Sequence, residues 1–180
     1  MFKKSKKSKI DFQKASSSYY QIENQEKDQA KTKFKAEIKS IYSLLGSVKN
    51  FYGCFTLREF INLNIDSVPI KLIIKIGRNP NDHYIAIFLN KNFLEVFDPF
   101  GFNLSYPQSF LRLLRDLSFK RRLRITTHKI TNNRATSILF CAFFLRQRQF
   151  SYFSKIITKF SSHYSVNDKY IRSVFNEINH

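Results

Sequence analysis

Residues 83–101 read HYIAIFLNKNFLEVFDPFG, and this stretch decides the predicted fold. Two apolar runs rich in β-branched and aromatic residues, 83–89 and 93–97, flank the polar segment 90–92. That pattern predicts an antiparallel hairpin closed by a tight turn. The apolar run Pro69–Ile76 precedes the hairpin and predicts a further buried strand.

Helical spacing dominates most of the remaining sequence. Thr56 followed by Glu59 is a capping-box pattern for a short helix, and Phe51–Phe55 before it is a short apolar element. The other expected elements are helices at 38–45, 106–117, 138–150, 152–160 and 166–178, and an alternating strand at 121–130. We therefore predict an α+β class, a small mixed sheet packed by helices.

The composition bounds the protein class. A chain of 180 residues that is 43% hydrophobic fits one domain with a sizeable core, which excludes a wholly disordered protein. The polar, Lys-rich residues 1–35 predict a flexible arm, with helix from about Glu26, and residues 36–180 the folded domain. With only two cysteines, Cys54 and Cys141, we predict no disulfide scaffold and no metal site, in a reducing compartment. The sequence also predicts no membrane span and no secretory signal.

The charge favours a polyanionic partner. There are 31 Lys and Arg residues against 13 Asp and Glu residues, a net charge of +18. Residues 112–134 hold eight cations and one acid, and predict a sequence-independent DNA-binding face. Its candidate phosphate-binding residues are Arg112, Arg115, Arg121, Arg122, Arg124 and Lys129. A scattered, solvated charge is the alternative interpretation.

His83 and Asp98 form the first candidate site. The start of one hairpin strand lies beside the end of the other, so the two side chains are expected at one edge of the sheet. A carboxylate there would hold an imidazole as a general base. The alternative is a histidine that flanks a turn and an aspartate that caps the turn at Pro99.

Ser137 and Cys141 are the candidate nucleophiles. Ser137 directly precedes the apolar run 138–145, and a helix N-terminus favours a nucleophilic anion. Serine is also an ordinary N-cap residue. Cys141 lies one turn inside the predicted helix, where a buried, inert thiol is expected.

Four motifs in order resemble a known family. They are Phe-x-Gly-x-Phe at 51–55, His-Tyr-Ile-Ala-Ile at 83–87, Phe-Asp-Pro-Phe-Gly at 97–101 and Phe-Cys-x-x-Phe-Leu at 140–145. The chain is similar over residues 50–178 to the cysteine protease of adenoviruses and, more closely, to its relatives in Maverick/Polinton DNA elements. The resemblance implies the papain-related, adenovirus-protease-like fold.

The resemblance also implies roles. His83 matches the general base, Asp98 the orienting acid and Cys141 the second, non-catalytic cysteine of the last motif. The nucleophile position is then Ser137, and the oxyanion-hole Gln is expected near Ile130 or Thr131, where neither residue is Gln. Asn132 or Asn133 would substitute only with a shorter loop.

The function expected from these features is a protease-derived protein of a virus or virus-like DNA element, with turnover lost. Its expected partners are DNA, which the resemblance implies as a possible activator, and a peptide or viral structural protein. The expected location is the virion or the host nucleus or cytoplasm. Two alternatives stay open: an active maturation endopeptidase that uses Ser137 or Cys141 with His83 and Asp98, and a basic nucleic-acid-binding protein.

Overall fold

The computed structural model describes residue 39 and residues 41–77 and 83–176. The chain divides into two compact units, Met1–Ser40 and Ile41–His180, and every element named below belongs to the second. The predicted arm at 1–35, the helix from about Glu26 and the last residues of the predicted C-terminal helix lie outside the described residues. The division into an arm and a domain at residue 35 stays a prediction.

A five-stranded mixed sheet forms the centre of the second unit. Its strands follow chain order across the sheet, with antiparallel pairing in the middle and parallel pairing at both edges. The strands are β1 (Phe51–Thr56), β2 (Ile70–Ile76), β3 (His83–Leu89), β4 (Phe93–Phe97) and β5 (Arg122–Ile125). The predicted α+β class and the β3–β4 hairpin are confirmed.

Helices cover both faces of this sheet. They are α1 (Leu57–Ile61), α2 (Gln108–Ser118), the 3-10 turn Arg134–Thr136, α3 (Ser137–Gln147), α4 (Phe153–Ile157) and α5 (Tyr164–Asn176), and residues 41–45 are also helical. The predicted capping box is present, since Thr56 and Glu59 bond each other's backbone N–H. The strand predicted at 121–130 ends at Ile125, because the chain then turns and Ile130 donates its N–H to the Pro99 carbonyl.

Alternation along the hairpin divides the core into two layers. Leu94 and Val96 of β4 belong to one cluster with Phe110 of α2. Phe97 points to the opposite face, where its ring stacks on Phe144 of α3 with centroids 4.7 Å apart. The apolar helix α3 is therefore packed on the face of the sheet that α2 leaves uncovered.

A buried ion cluster closes the second layer. Glu95 of β4 is fully buried and accepts two hydrogen bonds from Arg148, at 2.5 and 3.1 Å, and one from Arg124 at 3.1 Å. Paired guanidinium groups are what a buried carboxylate requires. Lys71 of β2 is also buried, donating to the Lys49 carbonyl, and burial and the Arg148 charge lower the pKa of Lys71 to about 8.

Candidate functional site

The hairpin brings His83 and Asp98 together at one edge of the sheet. His83 is the first residue of β3, and Asp98 directly follows β4. The His83 Nε2 atom lies 3.7 Å from Asp98 Oδ1, with the carboxylate fully buried and the imidazole mostly so. This distance suits an ion pair and is long for a direct hydrogen bond.

Tyr106, which the sequence analysis did not identify, lies between the two. Its hydroxyl donates to Asp98 Oδ2 and lies 3.0 Å from His83 Nε2. Burial and the neighbouring Asp98 charge raise the pKa of Tyr106, so the phenol keeps its proton. Asp98 is therefore linked to the imidazole both directly, at 3.7 Å, and by hydrogen bonds through the Tyr106 hydroxyl.

The chain of hydrogen bonds favours one tautomer of His83. The single proton of Tyr106 goes to Asp98, so its oxygen is an acceptor toward His83. In the neutral ring, Nε2 then carries the proton and Nδ1 is the basic atom. A general base requires a basic nitrogen, and this arrangement assigns that property to Nδ1.

Asp98 also caps the turn at Pro99, as the alternative interpretation of the sequence predicted. Its Oδ1 accepts the Phe100 N–H at 2.8 Å, and its own N–H donates to Thr126 Oγ1. The Phe100 ring lies against the His83 ring, with centroids 5.2 Å apart. Gly101 closes this turn with φ of 77°, and a Cβ there would lie 3.1 Å from the His128 backbone. The turn is thus packed against both the imidazole and the segment after β5.

Ser137 is the first residue of α3, but its hydroxyl is hydrogen-bonded to two backbone groups. Its Oγ accepts the Tyr84 N–H at 3.2 Å and donates to the Arg134 carbonyl at 2.7 Å. The side chain is fully buried, and among the described residues it makes no hydrogen bond to His83. Ser137 is not the N-cap residue of α3, because Thr136 occupies that position, and Thr136 makes no side-chain capping bond.

Cys141 contacts the same strand residue one helical turn later. Its thiol is fully buried and lies 3.2 Å from the Tyr84 carbonyl, to which it donates. Burial, with smaller contributions from Asp98 and Cys54, raises the pKa of the Cys141 thiol well above its ordinary value. A buried thiol that stays protonated is a poor nucleophile.

The pairing of β3 with β4 explains both contacts. Ala86 pairs with Phe97, and continuing this antiparallel register by two residues would place Pro99 opposite Tyr84. Proline has no N–H to donate, and the Pro99 carbonyl accepts instead from Ile130 at 2.8 Å and Thr131 at 3.1 Å. Because β4 ends before it reaches Tyr84, the Tyr84 backbone bonds to α3 instead. Ser137 accepts its N–H and Cys141 donates to its carbonyl.

The positions expected to supply an oxyanion donor have other contacts. The N–H groups of Ile130 and Thr131 are the two donors to Pro99, and the Thr131 hydroxyl donates to Asp168 Oδ1 at 2.7 Å. The Asn133 side chain accepts the Ala135 N–H and so caps the 3-10 turn. Asn132 is exposed to solvent.

The candidate DNA-binding residues fall into two groups. Arg121 and Arg124 are half-buried and contact other parts of the fold: Arg121 donates to the Asn90 and Leu117 carbonyls, and Arg124 binds Glu95. The exposed members are Arg112, Arg115, Arg122 and Lys129. Only the exposed group presents its charge fully to solvent.

The sequence matches no known protein family, and no curated protein matches it.

In the described part of the chain, no helix is long and apolar enough to cross a membrane. Those same residues contain no group of three or more His, Cys, Asp or Glu side chains placed to hold a metal ion.

Proposed function

We propose that this chain is a degenerate derivative of the adenovirus-type cysteine proteases, from a virus or virus-like DNA element. It retains the protease scaffold and binds peptide or DNA without hydrolysing a peptide bond. The observation that carries the proposal is the Ser137 hydroxyl, which is buried and bonded to Tyr84 N–H and the Arg134 carbonyl. A nucleophile must instead reach its base and the substrate.

Several features support a protease origin. A mixed sheet carries His83 and Asp98 at one edge, and an apolar helix begins at the position where the family has its nucleophile. The base is present, with Nδ1 as its basic atom, and what the site lacks is the partner that this base would activate. A catalytic triad without its nucleophile retains only the modest rate enhancement that substrate binding provides.

The test combines a peptide library with three proteins: the wild type, Ser137→Cys and Ser137→Ala. We expect no cleavage by any of them, because the Ser137 hydroxyl bonds to the Tyr84 and Arg134 backbone and not to His83. A fluorophosphonate probe should leave Ser137 unlabelled, with labelled sites mapped by mass spectrometry.

Three results would contradict this account. Wild-type cleavage that disappears in Ser137→Ala would show an active serine hydrolase and overturn the proposed degeneracy. Cleavage gained by Ser137→Cys would show that residue 137 reaches His83, contrary to the contacts described above. Cleavage that survives Ser137→Ala but not Cys141→Ala would assign the nucleophile to Cys141.

A second candidate function, DNA binding, is favoured by the exposed cations. Arg112, Arg115 and Arg122 are exposed, and no acidic side chain of the described residues pairs with them. Their contacts with DNA phosphates would be independent of sequence and weakened by salt. For a 20-base-pair duplex measured by fluorescence anisotropy, the double variant Arg112→Ala/Arg115→Ala should reduce the salt slope by about 1.8, at about 0.9 per phosphate contact. The exposed Lys169, changed to Ala, is the control, and equal slopes for all three proteins would exclude this face.

A further inference from the structure

A pocket beside the start of β5 is the strongest unassigned feature of the molecule. Its volume is about 580 Å³, within the range of about 300–1,000 Å³ that small-molecule sites occupy. It is lined by Asn92, Phe93, Lys120, Arg121 and Arg122. None of the residues discussed for the protease-like site contributes to this lining, so the pocket is a separate feature.

Arg121 is held rigidly in the pocket wall. Its Nε donates to the Asn90 carbonyl at 2.8 Å and its Nη1 to the Leu117 carbonyl at 2.7 Å. Both acceptors are neutral, so the guanidinium keeps its full positive charge, and its Nη2 bonds no acceptor among the described residues. A fixed guanidinium with spare donors is the group that recognises phosphate best in proteins.

The two chain segments around Arg121 are also well ordered by hydrogen bonds. On one side, the Asn90 side chain accepts the N–H groups of Asn92 at 2.8 Å and Phe93 at 2.7 Å. On the other side, Arg121 N–H donates to the Ser118 carbonyl at 2.8 Å, and Lys120 between them adopts a left-handed φ of 61°. A preformed wall lowers the entropic cost of binding a ligand.

The chemistry of the lining indicates an anion with an attached planar or apolar part. Lys120, Arg121 and Arg122 are consecutive cations, and none of the described residues that line the pocket is acidic. Phe93 supplies an aromatic ring, and the Arg124 guanidinium lies 4.0 Å from its centroid. A phosphate fits the cations, and a nucleobase or sugar fits the ring surface, as in other sites that bind nucleotides by charge and stacking.

We propose that this pocket binds a nucleoside monophosphate unit, with its phosphate on Lys120, Arg121 and Arg122 and its nucleoside against Phe93. The unit is either a free nucleotide or the phosphorylated end of a nucleic-acid strand. The site rests on its own lining residues, and it goes beyond the DNA-binding face proposed above, which rests on Arg112 and Arg115 of α2 and shares only Arg122 with the pocket. Binding here is therefore expected even for a ligand that is too small to span that face.

The experiment titrates the full-length protein with AMP, inorganic phosphate and adenosine in a low-salt buffer without phosphate, followed by amide NMR. AMP should saturate and shift the amide signals of residues 92–93 and 120–122, inorganic phosphate should shift the same signals more weakly, and adenosine should not saturate. Lys120→Ala and Arg122→Ala should each weaken AMP binding about tenfold, the usual effect of removing one charge-assisted hydrogen bond. Arg112→Ala and Arg115→Ala are matched controls that should change it less than about twofold.

Arg121→Ala removes two contacts that join α2 to the hairpin turn, so Arg121→Lys is the better variant. It keeps the charge but not the fork geometry, and it should also weaken AMP binding. Saturation by AMP that is unchanged in Lys120→Ala and Arg122→Ala, or an adenosine affinity equal to that of AMP, would overturn the proposal, as would no saturation at all. A 5′-phosphorylated oligonucleotide that binds more tightly than both AMP and its unphosphorylated form would identify a strand end as the ligand, and equal affinity with AMP would identify a free nucleotide.

Discussion

Changing Ser137 to Ala separates a structural serine from a catalytic one. The substitution removes an oxygen that accepts the Tyr84 N–H and donates to the Arg134 carbonyl. The Arg134 carbonyl also accepts the Ser137 backbone N–H and so keeps a partner, whereas Tyr84 is only 5% exposed and its N–H loses a buried acceptor. A buried polar group that loses its partner costs about 1–3 kcal/mol, and we expect a loss of stability in that range.

The measurement is urea unfolding followed by far-ultraviolet circular dichroism, with Ser173→Ala as the matched control. Ser173 donates to the carbonyl three residues earlier, that of Tyr170, at 2.8 Å, as Ser137 does to Arg134, but it is exposed. Its removal should change the free energy of unfolding by less than about 0.5 kcal/mol. In a thermal scan the Ser137→Ala loss corresponds to about 2–4 °C per kcal/mol for a domain of this size.

The comparison has a clear failing outcome. If both variants unfold at the same urea concentration, with the slope m unchanged, the Ser137 hydroxyl does not support β3 and the reasoning is wrong. A catalytic serine would show that result, because a nucleophile is optimised for reaction and its removal is usually tolerated by the fold. Destabilisation by Ser137→Ala, with no peptide cleavage by either protein, is the pattern expected of this chain.

Three further predictions concern buried polar groups. Long-range ¹H–¹⁵N spectra should show neutral His83 protonated on Nε2, and a ring protonated on Nδ1 would contradict the assignment. Tyr106→Phe should lower the free energy of unfolding by about 1.5–3 kcal/mol, because the charged Asp98 carboxylate loses its hydroxyl donor. The pKa of Lys71 is about 8 in the folded state and about 10.4 in the unfolded chain. Between about pH 8 and pH 10.4 the unfolded state therefore binds more protons, so the free energy of unfolding should rise with pH over that range. Lys71→Met should abolish that rise in pH-dependent urea unfolding, and an identical rise in both proteins would refute the role of Lys71. Glu95→Gln should cost about 3–5 kcal/mol in unfolding free energy, because Arg148 then keeps a buried charge without its carboxylate, and a loss below 1 kcal/mol would refute this.

The hairpin was predictable from sequence because its residues are apolar on both faces and its turn is short and polar. The predicted bounds 83–89 and 93–97 match β3 and β4, and the meeting of His83 with Asp98 followed from antiparallel pairing alone. Tyr106 was missed because it lies 23 residues from His83 and precedes an amphipathic helix, where an aromatic residue indicates core packing. Its hydroxyl was the available signal, since a buried phenol requires a polar partner.

The role of Ser137 was beyond the reach of the sequence analysis for a different reason. That role depends on how far the start of β3 extends beyond its pairing with β4. This is fixed by the pairing register, which tertiary contacts set rather than the local sequence pattern. Pro99 held the missing information: a proline just after a strand ends the ladder there, so the opposite residue, Tyr84, must find its partners elsewhere. Reading Pro99 together with the following helix would have predicted a structural use for a polar residue on that helix.

The four-residue spacing of Ser137 and Cys141 explains why both candidate nucleophiles have a structural role instead. Residues four apart lie on the same face of a helix, so both side chains meet Tyr84, one at its N–H and one at its carbonyl. Tyr84 directly follows His83, and holding its backbone therefore also holds the imidazole beside Asp98 and Tyr106. A hydroxyl at position 137 that turned toward His83 would give up its bond to the Tyr84 N–H, which supports this end of β3 together with the pairing of β3 and β2. Under the proposed function, residue 137 thus supports the strand that carries the base, and for this reason an intact His83–Asp98 pair is compatible with a site that does not turn over.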